Sequence, residues 1–422
     1  MRVAKSEEMR NRLKTILSGV DQEKGDILSE VIRQGAGIIV QELLEGEVGE
    51  FLGRGHYKRS KDEGIKGYRN GYEPLRIKTG EGRIEAFMPQ VRGTEDSFQS
   101  KLGTFFKGNS EVLEKLSIEM YVRGLSTRDI EDALGEISGD ILLNRSAVSK
   151  ITDVLNEDFE AFQARDLSGY SLEYLFLDAV FEPLKGYDSS QAILCAWGIT
   201  RDEKKVLLHL SLGNKESCEN WLEFLRDMVK RGIRIPTSIT SDGALGAIQA
   251  IERMFPNSLR LRCWFHRMQN FYQKVPEEKW LEVKVELLDI RDSINYETAK
   301  QKTHQFIEKY KNIYPSLIKA FQEDLEALLN HLKLPWPHRI NVRTTNLIER
   351  SFVEQKRRTK IIPSKLTEKA LLKLVFSVLI RASKRWAKIK FSKTDIFLLD
   401  QLRKNLNITI DNYNEKKLEK VS

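Results

Sequence analysis

The sequence predicts an α/β protein with a mainly helical N-terminal region, a core of strands and helices, and an all-helical block set inside that core. Three observations predict it. Apolar residues recur at helical spacing early in the chain. The middle of the chain then changes to short apolar runs, LEYLFLDAV, QAILCAWGIT and KKVLLHLSL, separated by turn material such as LKGYDSS and RDE. A long amphipathic helical stretch follows these runs. The 422 residues, 41% hydrophobic and 31% charged, are enough for two or three cores.

In chain order, residues from about Glu7 to Leu52 read as helical, with apolar positions such as Ile27, Val31, Ile38, Ile39 and Leu43 recurring at helical spacing. Residues 53–93 are rich in Gly and basic side chains and read as loops around a short hairpin bounded by Gly80, Gly82 and Pro89. There Arg54, Lys58, Arg59, Lys61, Lys66, Arg69 and Arg76 alternate with Tyr57, Tyr68 and Tyr72, which fits phosphate contact with base stacking, or a solvated basic loop. Residues 117–155 carry the punctuation of a helix-turn-helix. Ser126 caps one helix ahead of Asp129, and a second begins near Asn144 with Arg145, Ser146, Ser149 and Lys150 on its polar side. A plain helical hairpin has the same pattern.

After the three apolar runs, ESCENWLEFLRDMVKRG reads as a helix, IRIPTSIT as a strand, GALGAIQAIERMF as a helix and LRLRCWF as a fifth strand. This is the element order of a ribonuclease H-like core. Helices are expected from about Asn270 to Leu334, and the chain returns to a helix beginning near Asn346. The resulting boundaries are 1–165 for the N-terminal region, 166–268 for the first part of the core, 269–335 for the helical insertion, 336–390 for the end of the core and 391–422 for a C-terminal tail.

Three acids stand out. Asp178 ends LEYLFLDAV, Asp242 ends ITSD, and Glu349 lies in RTTNLIERSFVEQKRR beside Lys356, Arg357, Arg358 and Lys360. Open α/β sheets bind ligands where strands end, and converging carboxylates suit magnesium, which can activate water or a hydroxyl against a phosphodiester. Each acid also has a structural alternative. Asp178 suits capping of a backbone amide at a strand end, Asp242 suits a Ser-Asp-Gly turn, and Asn346 with Glu349 has capping-box spacing. Glu354 is the second candidate for the third ligand. Cys263 and His266 in RCWFH suit half of a zinc site whose other half is missing from the sequence, support of a catalytic carboxylate, or a core cysteine beside a surface histidine.

Composition limits the class of protein. Lys and Arg number 69 against 61 Asp and Glu, a net charge of +8 with a pI near 9.1, which suits a polyanionic partner. Cys195, Cys218 and Cys263 are too few and scattered for a disulfide framework, and the charged N-terminus lacks a signal core. The longest apolar stretch, around residues 370–380, is too short to span a bilayer. A cytoplasmic protein without a membrane partner is expected.

The stretches RNGY, YVRGLSTRDI, LFLDAVF, WLEFLRDMVKRG, SDGALGAIQAIERMFPNSLRLRCWFH and RTTNLIERSFVEQKRRTK resemble, in order, those of bacterial Mutator-like insertion-sequence transposases over roughly residues 40–385. The resemblance implies a DDE transposase with Asp178, Asp242 and Glu349 as catalytic metal ligands, and Cys263 and His266 as the family's Cys-x-x-His signature. It implies magnesium, with manganese as a substitute. The activity implied is nicking of the element's terminal inverted repeats and transfer of the freed 3′ hydroxyl into target DNA, by way of an excised circle. Arg69, Arg145, Lys150, Lys356, Arg357, Arg358 and Lys360 are the expected DNA contacts. Synapsis of two ends implies a homodimer or larger assembly on DNA at the nucleoid. The chain departs from the pattern at HRMQN, where Gln269 precedes Asn270, and in FEPLKGYDSS, which is less basic than expected.

Overall fold

The structure is a computed structural model that describes residues 4–18, 27–54, 67–94, 96–138, 141–213, 217–362, 365–383 and 389–408. Contacts divide the chain into two units that meet between Val154 and Leu155.

In the first unit, helices α1 (Lys5–Leu17) and α2 (Ile27–Leu52) precede strands β1 (Tyr68–Thr79) and β2 (Gly82–Arg92), which pair antiparallel. The hairpin is longer than the sequence suggested, and Pro89 lies inside β2, opposite Tyr72. A proline has no N–H to give a ladder, but β2 is the edge of the β2-β1-β3 sheet, where one side needs no partner. The apolar positions of α2 do not all face the core. Ile38, Val40, Leu44 and Val48 turn inward while Ile39 and Leu43 are exposed, because Val40 and Leu44 pack on Leu75, Ile77 and Ile84 of the hairpin.

The unit continues through α3 (Lys101–Phe106), the short β3 (Gly108–Asn109), α4 (Glu111–Val122), α5 (Thr127–Ser138) and α6 (Arg145–Thr152). Ser126 Oγ accepts from the Asp129 N–H while Asp129 accepts from the Ser126 N–H, so the expected cap at α5 is formed. Asn144 Oδ1 caps α6 by accepting from the Ala147 N–H at 2.8 Å. Leu113, Ile130, Leu134, Leu143 and Val148 hold these three helices together.

The second unit opens with α7 (Val154–Ala164), then β4 (Leu172–Glu182), β5 (Gln191–Thr200), β6 (Lys205–Gly213), α8 (Cys218–Lys230), β7 (Ser238–Ser241), α9 (Leu245–Met254) and β8 (Leu259–Arg262). Their sheet runs β6-β5-β4-β7-β8. The first two pairings are antiparallel, and β4, β7 and β8 are parallel to one another. The fourth strand is half its expected length. Pro236 cannot donate to a ladder, and β7 is an interior strand, so pairing starts only at Ser238. Leu175, Leu177, Leu194 and Ile239 turn to one face, against Trp221 and Leu225 of α8 and Ala250 and Ile251 of α9. Tyr174, Phe176, Cys195, Trp197 and Leu261 turn to the other, as period-two side chains must.

Helices α10 (Trp264–Tyr272), α11 (Glu277–Arg291), α12 (Tyr296–Tyr310), α13 (Pro315–Glu323), α14 (Leu325–Leu329), a 3-10 turn at Asn330–Lys333 and α15 (Trp336–Val342) separate β8 from α16 (Asn346–Thr359). LRLRCWF therefore divides: its LRLR part is β8, and Trp264 already opens α10. Trp264 joins Phe271, Leu287, Phe306 and Phe321 in a separate apolar centre and donates its indole N–H to the Leu328 carbonyl. Helix α17 (Glu368–Ser383) covers the sheet face that carries Trp197. The expected tail holds a helix, α18 (Lys393–Asn405), whose Leu399 is buried in the same core. Among the described residues no helix is long and apolar enough to cross a membrane.

His209, buried in β6, offers a test of this packing. Burial, with the Arg231 and Arg165 guanidiniums nearby and against the pull of Asp227, brings its pKa down to about 4. A ring whose folded pKa lies below its unfolded value of about 6.5 costs nothing above that pH and destabilises as pH falls from 6.5 toward 4, by up to about 3 kcal/mol. The melting temperature of the wild type should fall across this window. His209→Gln should reduce the slope, and an unchanged slope would mean that the ring is already protonated in the fold.

Candidate active site

The site begins with strand register. The parallel pairing of β4 with β7 ends at Leu177 opposite Ser241, and that of β7 with β8 ends at Ser241 opposite Arg262. The next residues in line are Asp178, Asp242 and Cys263. They form one row across three strands, and the Cys263 N–H still donates to the Ser241 carbonyl at 2.9 Å. Strand β4 itself continues to Glu182, paired on its other side with β5 where Asp178 faces Cys195. Asp178 is therefore not at the end of its own strand, as the sequence suggested. It stands where the parallel half of the sheet stops. By alternation it faces the same side as Tyr174, Phe176 and Cys195.

Glu349 comes to that side from α16, whose Ile348 and Phe352 pack in the same core. Thr345, not Asn346, stands at the N-cap position, without a side-chain capping bond, and Asn346 is the first residue of the helix. The capping-box alternative for Glu349 is not formed. The Thr345 N–H lies 3.3 Å from Cys263 Sγ, and Glu349 Oε1 instead accepts from the Thr345 hydroxyl at 2.9 Å. That hydroxyl also lies 3.3 Å from Cys263 Sγ, so one buried threonine touches both. Lower on α16, the buried Gln355 donates to Glu182 Oε1 at 2.7 Å and ties the helix to the far end of β4. Nothing in the sequence reading singled out Thr345 or the Gln355–Glu182 bond. The only signal was a Thr-Thr-Asn run ahead of a helix.

His266 lies in the first turn of α10, three residues after Cys263, with Nδ1 3.7 Å from Glu349 Oε1. Among the described residues, Cys263, His266 and Glu349 each offer a donor atom within 4.8 Å of the others, a closeness the three carboxylates do not share. Electrostatics nonetheless link all five side chains. Burial, then the Asp242 charge, raise the Asp178 carboxyl well above the usual carboxylate range, with Glu349 adding to the repulsion and the Ala179 N–H and His266 opposing it. The neighbouring Cys263, against burial and with help from Glu349 and Asp178, raises the His266 pKa to about 9. Burial pushes the Cys263 thiol up, but His266 and Thr345 more than offset it and bring it below its ordinary value. The arrangement sets carboxyl repulsion beside one imidazole and one thiol. A cation would relieve it.

Two cavities adjoin the site and share Asn346. One, of about 540 Å³, is lined by Glu349, Arg350, Val353, Glu354 and Arg357. The other, of about 770 Å³, lies among Phe265, Tyr272, Trp280, Lys284 and Arg343. Glu354, the second candidate for a third ligand, is held by Arg357 and Arg358, each at 2.7 Å. Lys356, Arg357 and Lys360 are exposed, whereas Arg358 is half-buried. In the first unit, the Arg145 guanidinium pairs with Glu131 at 2.9 Å, Lys150 is exposed on α6, and Arg69 donates to the Arg54 carbonyl at 3.0 Å. Tyr57, Lys58, Arg59, Lys61 and Lys66 lie outside the described residues.

Known proteins resemble this chain over most of its length. The family described as transposase, Mutator family, matches residues 7–389. The transposase for insertion sequence element ISRM5 of Rhizobium meliloti (strain 1021) is 30% identical over 363 residues, 86% of this chain and 89% of that protein. The transposase for IS6120 of Mycolicibacterium smegmatis is 31% identical over 278 residues, 66% of this chain and 85% of its own length. The transposase for IS256 in transposon Tn4001 of Staphylococcus aureus is 26% identical over 393 residues, covering 90% and 95%.

Gly243, directly after Asp242, has φ +89°, and a Cβ there would stand 1.6 Å from Nη1 of Arg262. That guanidinium cannot swing aside cheaply, because it is buried and its Nε donates to Asp324 at 3.0 Å. Gly243→Ala should therefore cost at least about 1 kcal/mol from the left-handed backbone alone, and more from displacing Arg262. Thermal melting would read this as a fall in Tm, and an unchanged Tm would remove Arg262 as the constraint on the Asp242 turn.

Proposed function

The chain belongs to the Mutator family of transposases, and we propose that it nicks the terminal inverted repeats of an insertion sequence and joins the freed 3′ hydroxyl to target DNA, with Asp178, Asp242 and Glu349 holding magnesium. Manganese substitutes for it. The observation that carries this reading is the row at the end of the parallel strands. Two acids lie side by side, and the first is buried with its carboxyl raised chiefly by burial and by the second. Oxygen donors of this kind fit a hard divalent cation. When bound, the metal would supply Lewis-acid stabilisation of the scissile phosphate and activation of the attacking oxygen.

The remaining work belongs to the protein. Apolar side chains on the same face of the sheet keep Asp178 from solvent, and the Thr345 hydroxyl orients Glu349. His266, beside Glu349, is positioned to donate to a DNA phosphate or a site carboxylate. Lys356, Arg357, Arg358 and Lys360 extend α16 as a phosphate-contacting surface, and Arg69, Arg145 and Lys150 contact DNA from the first unit. The sheet order, with three antiparallel strands first and then two parallel additions through helices, supports a ribonuclease H-like core, and the helices between β8 and α16 would be its insertion. Two element ends must be held together, so the working form is a homodimer or larger assembly on DNA, in the cytoplasm at the nucleoid.

The test is a magnesium-dependent assay with the DNA ends that flank the gene, including a pre-nicked end that exposes the 3′ hydroxyl. Asp178→Asn and Asp242→Asn should each reduce both nicking and joining by at least about a hundredfold, the several kcal/mol that a metal supplies, while end binding persists. Joining at wild-type rate by either variant would sink the carboxylate assignment, and cleavage without joining by the wild type would make the protein a nuclease. Lys356→Ala should weaken end binding evenly across sequences and lower the slope of log affinity against log salt by about 0.9. An unaltered slope would take Lys356 off the DNA surface.

A further inference from the structure

We propose that Cys263, His266 and Glu349 form a binding site for a thiophilic divalent cation, zinc foremost, which overlaps the carboxylate site through Glu349 and so arrests magnesium-dependent chemistry. The site itself rests on geometry alone, and only the arrest rests on the reading above.

The sequence offered half of a zinc site, Cys263 and His266 at a spacing of three, with no second half at ligand spacing. The fold supplies the third donor from a residue eighty-three positions on from His266, at the start of another helix. The three donor atoms lie within 4.8 Å of one another, and His266 Nδ1 to Glu349 Oε1 is 3.7 Å. Around a tetrahedral zinc, with bonds of roughly 2.0–2.3 Å, donors stand roughly 3.3–3.7 Å apart. The Nδ1–Oε1 pair already meets that spacing, and the others, within 4.8 Å, need to close by at most roughly 1 Å, within reach of side-chain rotation. His266 Nδ1 is buried, and the polar neighbours of the ring include both Cys263 and Glu349.

Two further features suit a metal. Thr345 contacts both Cys263 Sγ and Glu349 Oε1, as residues behind a metal site do when they fix its ligands. Three protein ligands leave a fourth position open to water or a DNA oxygen. The donor set also discriminates. A thiolate and an imidazole favour zinc, cobalt or cadmium over magnesium, which prefers oxygen. A cation held there takes Glu349 from the oxygen-only set, so zinc and magnesium compete for one carboxylate.

Cobalt(II) titration of the whole protein without DNA decides the matter, because a thiolate on cobalt gives a near-ultraviolet charge-transfer band and tetrahedral cobalt gives intense visible bands. The wild type should show both at one equivalent, with zinc bleaching them and millimolar magnesium leaving them. Cys263→Ser and His266→Gln should lose the charge-transfer band or the tetrahedral pattern, whereas Cys218→Ser and Asp178→Asn should keep both. Because Cys263 is buried, Glu349→Gln serves as the variant at a more exposed position, with cobalt affinity expected to drop at least tenfold. Absence of a thiolate band in the folded wild type, its persistence in Cys263→Ser, its loss in Cys218→Ser, or undiminished affinity in Glu349→Gln would each overturn the proposal. Zinc should also stop DNA joining at saturating magnesium. A wild type inactive on DNA without zinc would count against the proposed function, while the cobalt titration would still decide the metal site.

Discussion

The end of parallel pairing across β4, β7 and β8 is the constraint on which the rest of the second unit depends. Parallel pairing runs as far as Leu177, Ser241 and Arg262, while Asp178 just beyond it stays buried and paired with Cys195 of β5. The parallel pairing stops there, and Asp178, Asp242 and Cys263 turn out together on one face. Side-chain alternation then does the sorting: the residues two before them, Phe176, Thr240 and Leu261, face the same side, and Phe176 and Leu261 are core. A polar row thus sits at the rim of an apolar face, two residues beyond Phe176 and Leu261 of the core.

That rim is completed from outside the sheet. The Thr240 hydroxyl donates to the Val342 carbonyl at 2.7 Å, and the Trp264 N–H donates to the Arg343 carbonyl at 2.9 Å, so the chain entering α16 is fastened to β7 and to the start of α10. Asp324, between α13 and α14, gathers the guanidiniums of Arg260, Arg262 and Arg267, which joins the helices after β8 to the same edge of the sheet. A buried carboxylate is tolerable when several donors share it, and here it serves three. Glu349 can meet the row because both ends of this helical stretch are anchored beside it.

The charges of the site and the hydrogen bonds that support it answer to different demands. Asp178 is costly to ionise where it stands, chiefly through burial and the Asp242 charge, whereas Asp324 pairs with three guanidiniums. An acid kept in that position is poised to gain from a cation, whether held by oxygen donors or, through Glu349, by sulfur and nitrogen as well.

Much of this was legible in the sequence wherever period and local chemistry agreed. The three apolar runs gave three strands, the Ser126 and Asn144 caps began the helices they announced, and the chain's family could be read from motifs kept in order. The sequence by itself determined the α/β class and the acids, because alternation and short-range capping are encoded within a few residues. Where it failed, a partner far along the chain decided: Pro89 stays in β2 because β2 is an edge, IRIP is excluded from β7 because that strand is interior, and Trp264 leaves the strand for the apolar centre around Phe271 and Phe306. The same holds at the site. Only the tertiary structure decided that Thr345 touches both Cys263 and Glu349 and that Glu349 completes a trio with Cys263 and His266, because register between strands and the approach of a distant helix are set by burial on both sides, which no local pattern records.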